Sequence, residues 1–386
     1  MIKHIRQRTI RGQMMSKTHV DNLQVPNHGA RHVAPKTPKK RPWRAVVIAL
    51  AVLLLLLVVL PGAAIMLFMK SLDSEISMPE EEREQVAEVL TPVEENNKPF
   101  YALIIGSDNR GNEAYGRSDS MMLARVDTEN AQVDLISIPR DMQVSINGGS
   151  TPQKINAAYA MGGSSLMIST VSDFAGVPIS HYIKVGFDGL EQLVDRLGGI
   201  TVNVPESFSG GNGGVSLQAG EQTLNGEQAL GFARERYQVQ GGDFSRAQAQ
   251  RIVLTAILKK MLEQPATEIP GLVQEFAAMI STDMSTMDLV ELGMQFYGHE
   301  VTINTAGCPS YAFSQDGVSY VGVEYAEWQD MMRRVDAGMG PKGEGDIPAE
   351  QMENAQLGAA SNALSPRDYA GLINQSLNSD DVIGNE

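Results

Sequence analysis

The sequence predicts a layered α/β domain on the far side of a single membrane span. Three observations point there. Short apolar runs of strand length alternate with longer stretches of 3.6-residue periodicity. An uncharged apolar stretch separates a basic tail from an acidic remainder. The polar residues with chemical potential gather where predicted strands end, which is where sites collect in α/β sheets.

The span comes first in chain order. Residues 1–44 carry 11 Lys and Arg and a single acid, Asp21. Ala45–Met69 is a run of 25 residues without charge, about 37 Å of helix against a hydrocarbon core of about 30 Å. Pro61-Gly62 interrupts it, which membrane helices tolerate. Lys39, Lys40, Arg41 and Arg44 abut the run, with Trp43 at the interface. The positive-inside bias therefore keeps the N-terminus cytoplasmic and the remainder outside. A cleaved signal fits poorly, because the leading tail and apolar core are long and no A-x-A site follows. From Lys70 onward, 20 basic residues face 45 acidic ones, a net of −25. The expected organisation is a disordered basic tail (1–44), a transmembrane helix (45–69), an acidic, partly helical stalk (70–98), the folded domain (99–336) and a mostly disordered tail (337–386). The basic tail reads as a topology signal near anionic lipid, and no nucleic-acid partner is expected.

Strands are predicted at 100–106, 120–126 and 132–138. A helix follows over 156–175, open to a break at Gly162-Gly163. A strand at 181–185, a helix at 187–197, a strand at 200–204 and a helix at 224–234 come next. A long helix spans 244–262, with Asp243 placed to cap it. Helices at 268–280 and 285–297, a strand at 301–305, another near Ser319, a helix at 325–335 and a short one near Tyr369 complete the reading. One cysteine, Cys308, excludes a disulfide framework and a multi-Cys metal site. Only His181 and His299 lie beyond the basic tail, which argues against a multi-His centre and a hydrolase triad.

Four polar clusters remain. Gly111–Ser118 imitates a phosphate loop, but a strand follows where a helix should open, so the motif fails its context. Arg117 and Asp119 share one face of that strand's start, and Asp108 ends the preceding strand; two such carboxylates suit a hard divalent ion that borrows phosphate oxygens. Arg140-Asp141 closes the next strand. Lys154 opens a helix, where a cation is disfavoured unless an anion joins it. Arg234 and Arg236 face the same way only if the helix has ended between them. Arg246 and Gln250 lie on one helix face that continues as Val253, Ile257 and Met261. That face offers a phosphate-binding head and an apolar stripe, which reads either as a lipid groove or as ordinary core. Each arginine alone reads equally as a surface ion pair.

Taken in order, the motifs Gly116-Arg117-Ser118-Asp119, Ile138-Pro139-Arg140-Asp141, Lys154-Ile155-Asn156, Leu224-Asn225-Gly226-Glu227-Gln228, Ala233-Arg234-Glu235-Arg236 and Gly242-Asp243-Phe244-Ser245-Arg246 resemble the LytR-CpsA-Psr family of bacterial cell-wall proteins. The resemblance runs from about Phe100 to Leu262 and more loosely to Ala337. It implies a three-layer α-β-α domain that transfers a glycan phosphate from a polyprenyl-pyrophosphate-linked glycopolymer, of teichoic acid or capsule type, to peptidoglycan with Mg²⁺. By similarity, Asp108 and Asp119 hold the metal. Arg117, Asp119, Arg140, Arg234, Arg236 and Arg246 form the catalytic centre, with Lys154 and Gln250 on the pyrophosphate and Val253, Ile257 and Met261 along the lipid. Asp119 or Asp141 has the chemistry of a general base, and the sequence does not choose. Ala249 departs from the family, where many relatives carry Arg. Two other readings stay open: a membrane-bound transcriptional attenuator, and a non-catalytic carrier of polyprenyl phosphate.

Overall fold

The structure is a computed structural model that describes residues 78–93, 98–107, 118–186, 189–277, 280–368 and 379. The basic tail, the expected span at 45–69 and the short helix expected near Tyr369 lie outside them. Among the described residues no helix is long and apolar enough to cross a membrane.

Six strands form the central sheet: β1 (Phe100–Ser107), β2 (Ser118–Asp127), β3 (Gln132–Ser137), β6 (His181–Gly186), β11 (Ile280–Thr282) and β12 (Thr302–Gly307), in the order β11-β6-β1-β2-β3-β12. The pairs β1–β6 and β3–β12 are parallel; β1–β2, β2–β3 and β6–β11 are antiparallel. Strands β1, β3, β6 and β12 therefore all run the same way, and their C-terminal ends line one edge. The period of two explains the layers. Tyr101, Leu103 and Ile105 of β1 pack with Met167, Val171 and Phe174 of helix α2 (Ala157–Ala175) and Trp328 and Met332 of α8 (Tyr325–Asp336). The alternate residues Phe100, Ala102 and Ile104 face Leu254, Leu258 and Leu262 of α5 (Asp243–Leu262) and Phe296 of α7 (Thr286–Phe296). Both faces are covered, so the strands read as unbroken apolar runs. This is the α-β-α layering expected from the sequence.

A second, smaller core lies on the opposite side of α5. Ala249, Val253 and Ile257 pack there with α3 (Leu190–Arg196), α4 (Gly226–Arg234) and the ribbon β7 (Ile200–Val204) and β10 (Gly220–Leu224). Helix α5 is thus apolar on two sides. Three short ribbons complete the chain: β4 (Gln143–Val144) with β5 (Gln153–Lys154), β8 (Phe208–Ser209) with β9 (Ser216–Leu217), and β13 (Ser310–Gln315) with β14 (Val318–Val323).

Several expectations shift. Leu224 belongs to β10, and α4 starts only after Asn225, whose side chain accepts from Gln228 N while Gln228 Oε1 accepts from Asn225 N, a reciprocal cap. Ile280 pairs with Val185 in β11 instead of ending a helix; α6 stops at Ala277 (Ile269–Ala277). Helix α2 is broken at Gly162-Gly163, where Gly163 has φ 63°. The stalk is not wholly solvated, because Val86 of α1 (Glu80–Ala87) is fully buried in the main core.

The larger correction concerns residues 337–368, read from the sequence as part of a loose tail. Beyond the short α9 (Ala349–Glu353), Leu357, Ala360 and Ser365 are buried. Gly358 N donates to Ala175 O at 2.8 Å, Ser145 N to Asn362 O at 2.7 Å, and Leu364 N to Gln143 O at 3.2 Å. Gly176 ends α2 with φ 68°, and a Cβ there would collide with the Gln356 carbonyl. The segment strap-bonds to irregular backbone, so it has no periodicity to betray it.

Trp328 anchors this side. It is fully buried, stacks on Phe174 with centroids 5.4 Å apart and donates Nε1–H to Phe174 O at 3.3 Å. Trp328→Ala is expected to lower the unfolding free energy by about 3–5 kcal/mol, read from denaturant midpoints. A loss below about 1 kcal/mol would show that this packing carries little of the fold.

Candidate functional site

A cleft of about 370 Å³ opens at the C-terminal edge of the parallel strands, over Ser137 of β3 and Gly307 of β12. Arg140, Asp141, Asp243 and Arg246 line one wall. Buried Met121, Ile138, Cys308 and Met331 also line it.

The wall is built from three separate segments that meet at one carboxylate. Arg140 Nε and Nη2 each lie 3.1 Å from Asp243 Oδ2; Arg246 Nη2 lies 3.4 Å from the same oxygen; Arg236 Nη1 lies 3.4 Å from Oδ1. Asp243 is therefore not the helix cap the sequence suggested. Gly242 is the N-cap, with φ 58° and ψ −119°, a backbone conformation that L side chains rarely adopt. Its geometry turns Asp243 into the first turn, facing the arginines. Three guanidinium groups thus gather around one carboxylate, on a chain that is net −25 beyond the expected span. A cluster of arginines of this kind is chemically suited to an anion.

Each arginine is held in place by local structure. Asn156 N donates to Arg140 O at 3.2 Å and Ile155 N to Met142 O at 2.8 Å, which ties the segment after β3 to the one that opens α2. Lys154 Nζ lies 3.2 Å from Asp141 Oδ1, so the lysine reaches the wall through that carboxylate. Arg234 is the last residue of α4, and the chain turns extended at Glu235 (φ −70°, ψ 135°), as the spacing of the two arginines required. Arg236 reaches Asp243 without lining the cleft itself, and Arg234 is half-buried and does not line it either. Gln250 lines the cleft and donates to Ala233 O at 3.3 Å, holding α5 to the end of α4.

Glu235 is the residue that sequence reasoning undervalued. It is 2% exposed, and its Oε1 accepts from the N–H groups of Arg236, Tyr237 and Gln238 at 2.8, 2.7 and 2.9 Å. Burial opposes its ionisation. The N–H groups of Gln238, Tyr237, Arg236 and Gly213 together outweigh burial and hold the carboxyl below the usual glutamate value. Gly211, with φ 79°, lets the neighbouring loop close on this carboxylate; a Cβ there would collide with it. The turn carrying Arg236 is thus wound around a buried charge. The signal available in the sequence was an acid between two arginines, which reads equally as a surface pair.

Two expected elements lie elsewhere. Val253 and Ile257 are each 2% exposed inside the second core, and Met261 packs against it. None of the three lines the cleft, because the face they share points to α3 and α4. The stripe is core packing in this structure. Ala249 faces the same way, 4% exposed, so its side chain does not reach the arginine wall. Asp108 and Arg117 lie outside the described residues. Ser107 and Ser118 are cross-strand partners, and Asp119 is the second residue of β2. Among the described residues no group of three or more His, Cys, Asp or Glu forms a metal-holding cluster. Cys308 is buried, and burial pushes its thiol well above the usual range, with Glu324 adding to the effect; it is not a nucleophile. His181 pairs through Nδ1 with Asp283 at 2.8 Å and belongs to the sheet.

A model of the LytR_cpsA_psr family matches residues 65–336. The chain is similar to the polyisoprenyl-teichoic acid–peptidoglycan teichoic acid transferase TagU of Enterococcus faecalis, 34% identical over 235 residues, covering 60% of this chain and 77% of that one. It is 41% identical over 162 residues to the Bacillus subtilis protein of the same name, covering 42% of this chain and 52% of the relative, about half of its length. The fold is similar to that of the crystal structure of B. subtilis TagV, with a TM-score of 0.53 at 28% identity, over 60% of this chain and 93% of that one.

Because Glu235 titrates lower in the folded chain than the roughly 4.3 of a free glutamate, its stabilisation is complete above that pH. It is lost as pH falls through the folded value. Glu235→Gln is expected to melt below wild type at pH 7, with the gap narrowing below about pH 4. A gap that stays constant from pH 7 to pH 3 would remove the charge from this account.

Proposed function

The chain belongs to the LytR-CpsA-Psr family, and we propose that it works as a membrane-anchored phosphotransferase. In this reading it moves a glycan phosphate from a polyprenyl-pyrophosphate-linked glycopolymer to a hydroxyl of peptidoglycan. The observation that carries the proposal is the convergence of Arg140, Arg236 and Arg246 on Asp243 at the mouth of the cleft. Arginine's planar fork matches phosphate oxygens bidentately, and here three forks are already gathered by a carboxylate. A pyrophosphate entering the cleft exchanges with Asp243 for these donors. They then stabilise the charge that grows on its oxygens as the phosphorus is attacked, at no further cost of reorganisation. Gln250 holds the helix carrying Arg246 against α4, and Glu235 holds the turn carrying Arg236.

The buried apolar residues lining the cleft, Met121, Ile138, Cys308 and Met331, are chemically suited to the first isoprene units. The names of the relatives support a teichoic acid type of cargo. Mg²⁺ is the cofactor of this reading. In sequence Asp108 directly follows β1 and Asp119 is the second residue of β2, and these two carboxylates would be the hard oxygen ligands for it. When bound there, the ion neutralises charge on the phosphate oxygens. The proposed topology places the N-terminus in the cytoplasm and the domain outside.

In proteoliposomes, the double variant Arg140→Ala, Arg246→Ala is expected to lose at least roughly 10²–10³ in transfer rate while circular dichroism shows a folded chain. Near-normal transfer by the folded variant would reject the site. For topology, Asn378→Cys in a Cys308→Ala background should react with an impermeant thiol reagent in intact cells. Labelling only after lysis would reverse the orientation.

A further inference from the structure

Two of the residues that line the cleft, Lys342 and Ser379, stand beyond residue 336, where the family match ends. Lys342 joins Arg140, Arg246 and Arg251, so four basic side chains face two acidic ones, Asp141 and Asp243, among the described lining residues. Ser379 is tied to the site: its Oγ accepts from the N–H of buried Ser310, the first residue of β13, at 3.3 Å. The chain before it is tied to the β13–β14 ribbon and to α8. Tyr311 OH donates to Pro366 O at 2.8 Å, Val323 N to Ser365 Oγ at 3.2 Å and Tyr325 OH to Ser365 O at 3.0 Å. Tyr320 and Val321 of the same ribbon line the cleft. The last part of the chain is therefore bonded at two places to a ribbon that walls the site.

Asp380 and Asp381 follow Ser379 directly. Consecutive Cα atoms lie about 3.8 Å apart, so the Cα of Asp381 stands within about 8 Å of that of Ser379, and its side chain reaches further. Connectivity alone thus brings two carboxylates to a cleft with an excess of basic side chains. Residues 368–386 carry Asp368, Asp380, Asp381 and Glu386 and no basic residue, so the charge of this segment is complementary to that of the lining. We infer that Asp380 and Asp381 seat in the arginine-lined cleft as an internal anion, and that an anionic donor binds by displacing them. This deepens the transferase reading, on which the identity of the competing donor rests.

Tethering sets the strength of this autoinhibitory contact. A segment joined by a short linker to its own site acts at an effective concentration of about millimolar. A contact too weak to hold a free peptide then still competes with a ligand from solution. The apparent affinity of that ligand falls by the fraction of molecules in which the cleft is open. A pyrophosphate carries its charges on one compact group whose oxygens match the guanidinium fork. Two aspartates give up backbone and side-chain freedom to hold theirs together. The donor therefore displaces the tail, and single carboxylates from solution are held off.

The test uses the full-length chain in detergent micelles with inorganic pyrophosphate as the probe, by calorimetry. The double variant Asp380→Asn, Asp381→Asn is expected to bind it about three- to tenfold more tightly than wild type. A second readout follows the tail itself, through a fluorophore on Gly384→Cys in a Cys308→Ala background. Saturating pyrophosphate is expected to lower the anisotropy of the chain that keeps both aspartates. The two Asn substitutions are expected to lower it to the same level without ligand. Equal pyrophosphate affinity in wild type and the double variant overturns the inference, as does an anisotropy that neither pyrophosphate nor the substitutions change. Pyrophosphate binding by neither chain overturns it together with the arginine site. Tighter binding by the double variant, in chains that transfer no glycan, would sink the transferase reading and leave the tail contact standing.

Discussion

The carboxylate of Asp243 is the point on which the site's geometry depends. Arg140 follows β3, Arg236 follows α4 and Arg246 lies in the first turns of α5, so three parts of the chain that fold against different cores are brought to one anion. Like charges gathered this closely repel, and a shared carboxylate is what makes the gathering tolerable before any ligand arrives. The positive φ of Gly242, open to a residue without Cβ, is what aims it. Helix α5 in turn has its place set from both sides, by the sheet through Leu254, Leu258 and Leu262 and by the second core through Ala249, Val253 and Ile257.

That double packing explains what the sequence made legible and what it hid. The strands of the sheet other than β11, and the helices α2, α5 and α8, were visible because each buries an apolar face. The arginines and their spacing were visible because the chemistry of phosphate selects for them. The stripe Val253, Ile257 and Met261 was correctly seen as one apolar face, but periodicity says only that a face is covered, not by what. With two apolar sides on the same helix, the choice between lipid and core depended on α3 and α4, whose docking is a tertiary fact. Asp243 was read as a cap because the residue type and position fit one; only the backbone of Gly242 shows that the cap lies one residue earlier.

Glu235 and the segment 355–365 escaped for a related reason. Both are bonded mainly to backbone N–H and C=O groups of irregular segments. Such bonds impose no repeat on side-chain polarity, so a buried acid looks like a surface acid and a fitted strap looks like a loose tail. Small residues such as Gly358 and Ala360 allow close approach of backbone to α2 and α8. In composition they are indistinguishable from the residues of a linker.

The strap also bears on how the protein is made. A chain emerges from its N-terminus, and the elements at 143–145 and 173–175 are complete long before residues 358–364 exist. Their backbone partners, Asn362 for Ser145, Leu364 for Gln143 and Gly358 for Ala175, lie 183 to 221 residues downstream. Closure across such separations is a slow, non-local step. A chain that stops short of residue 358 therefore holds α2 with its C-terminal end uncapped by the strap.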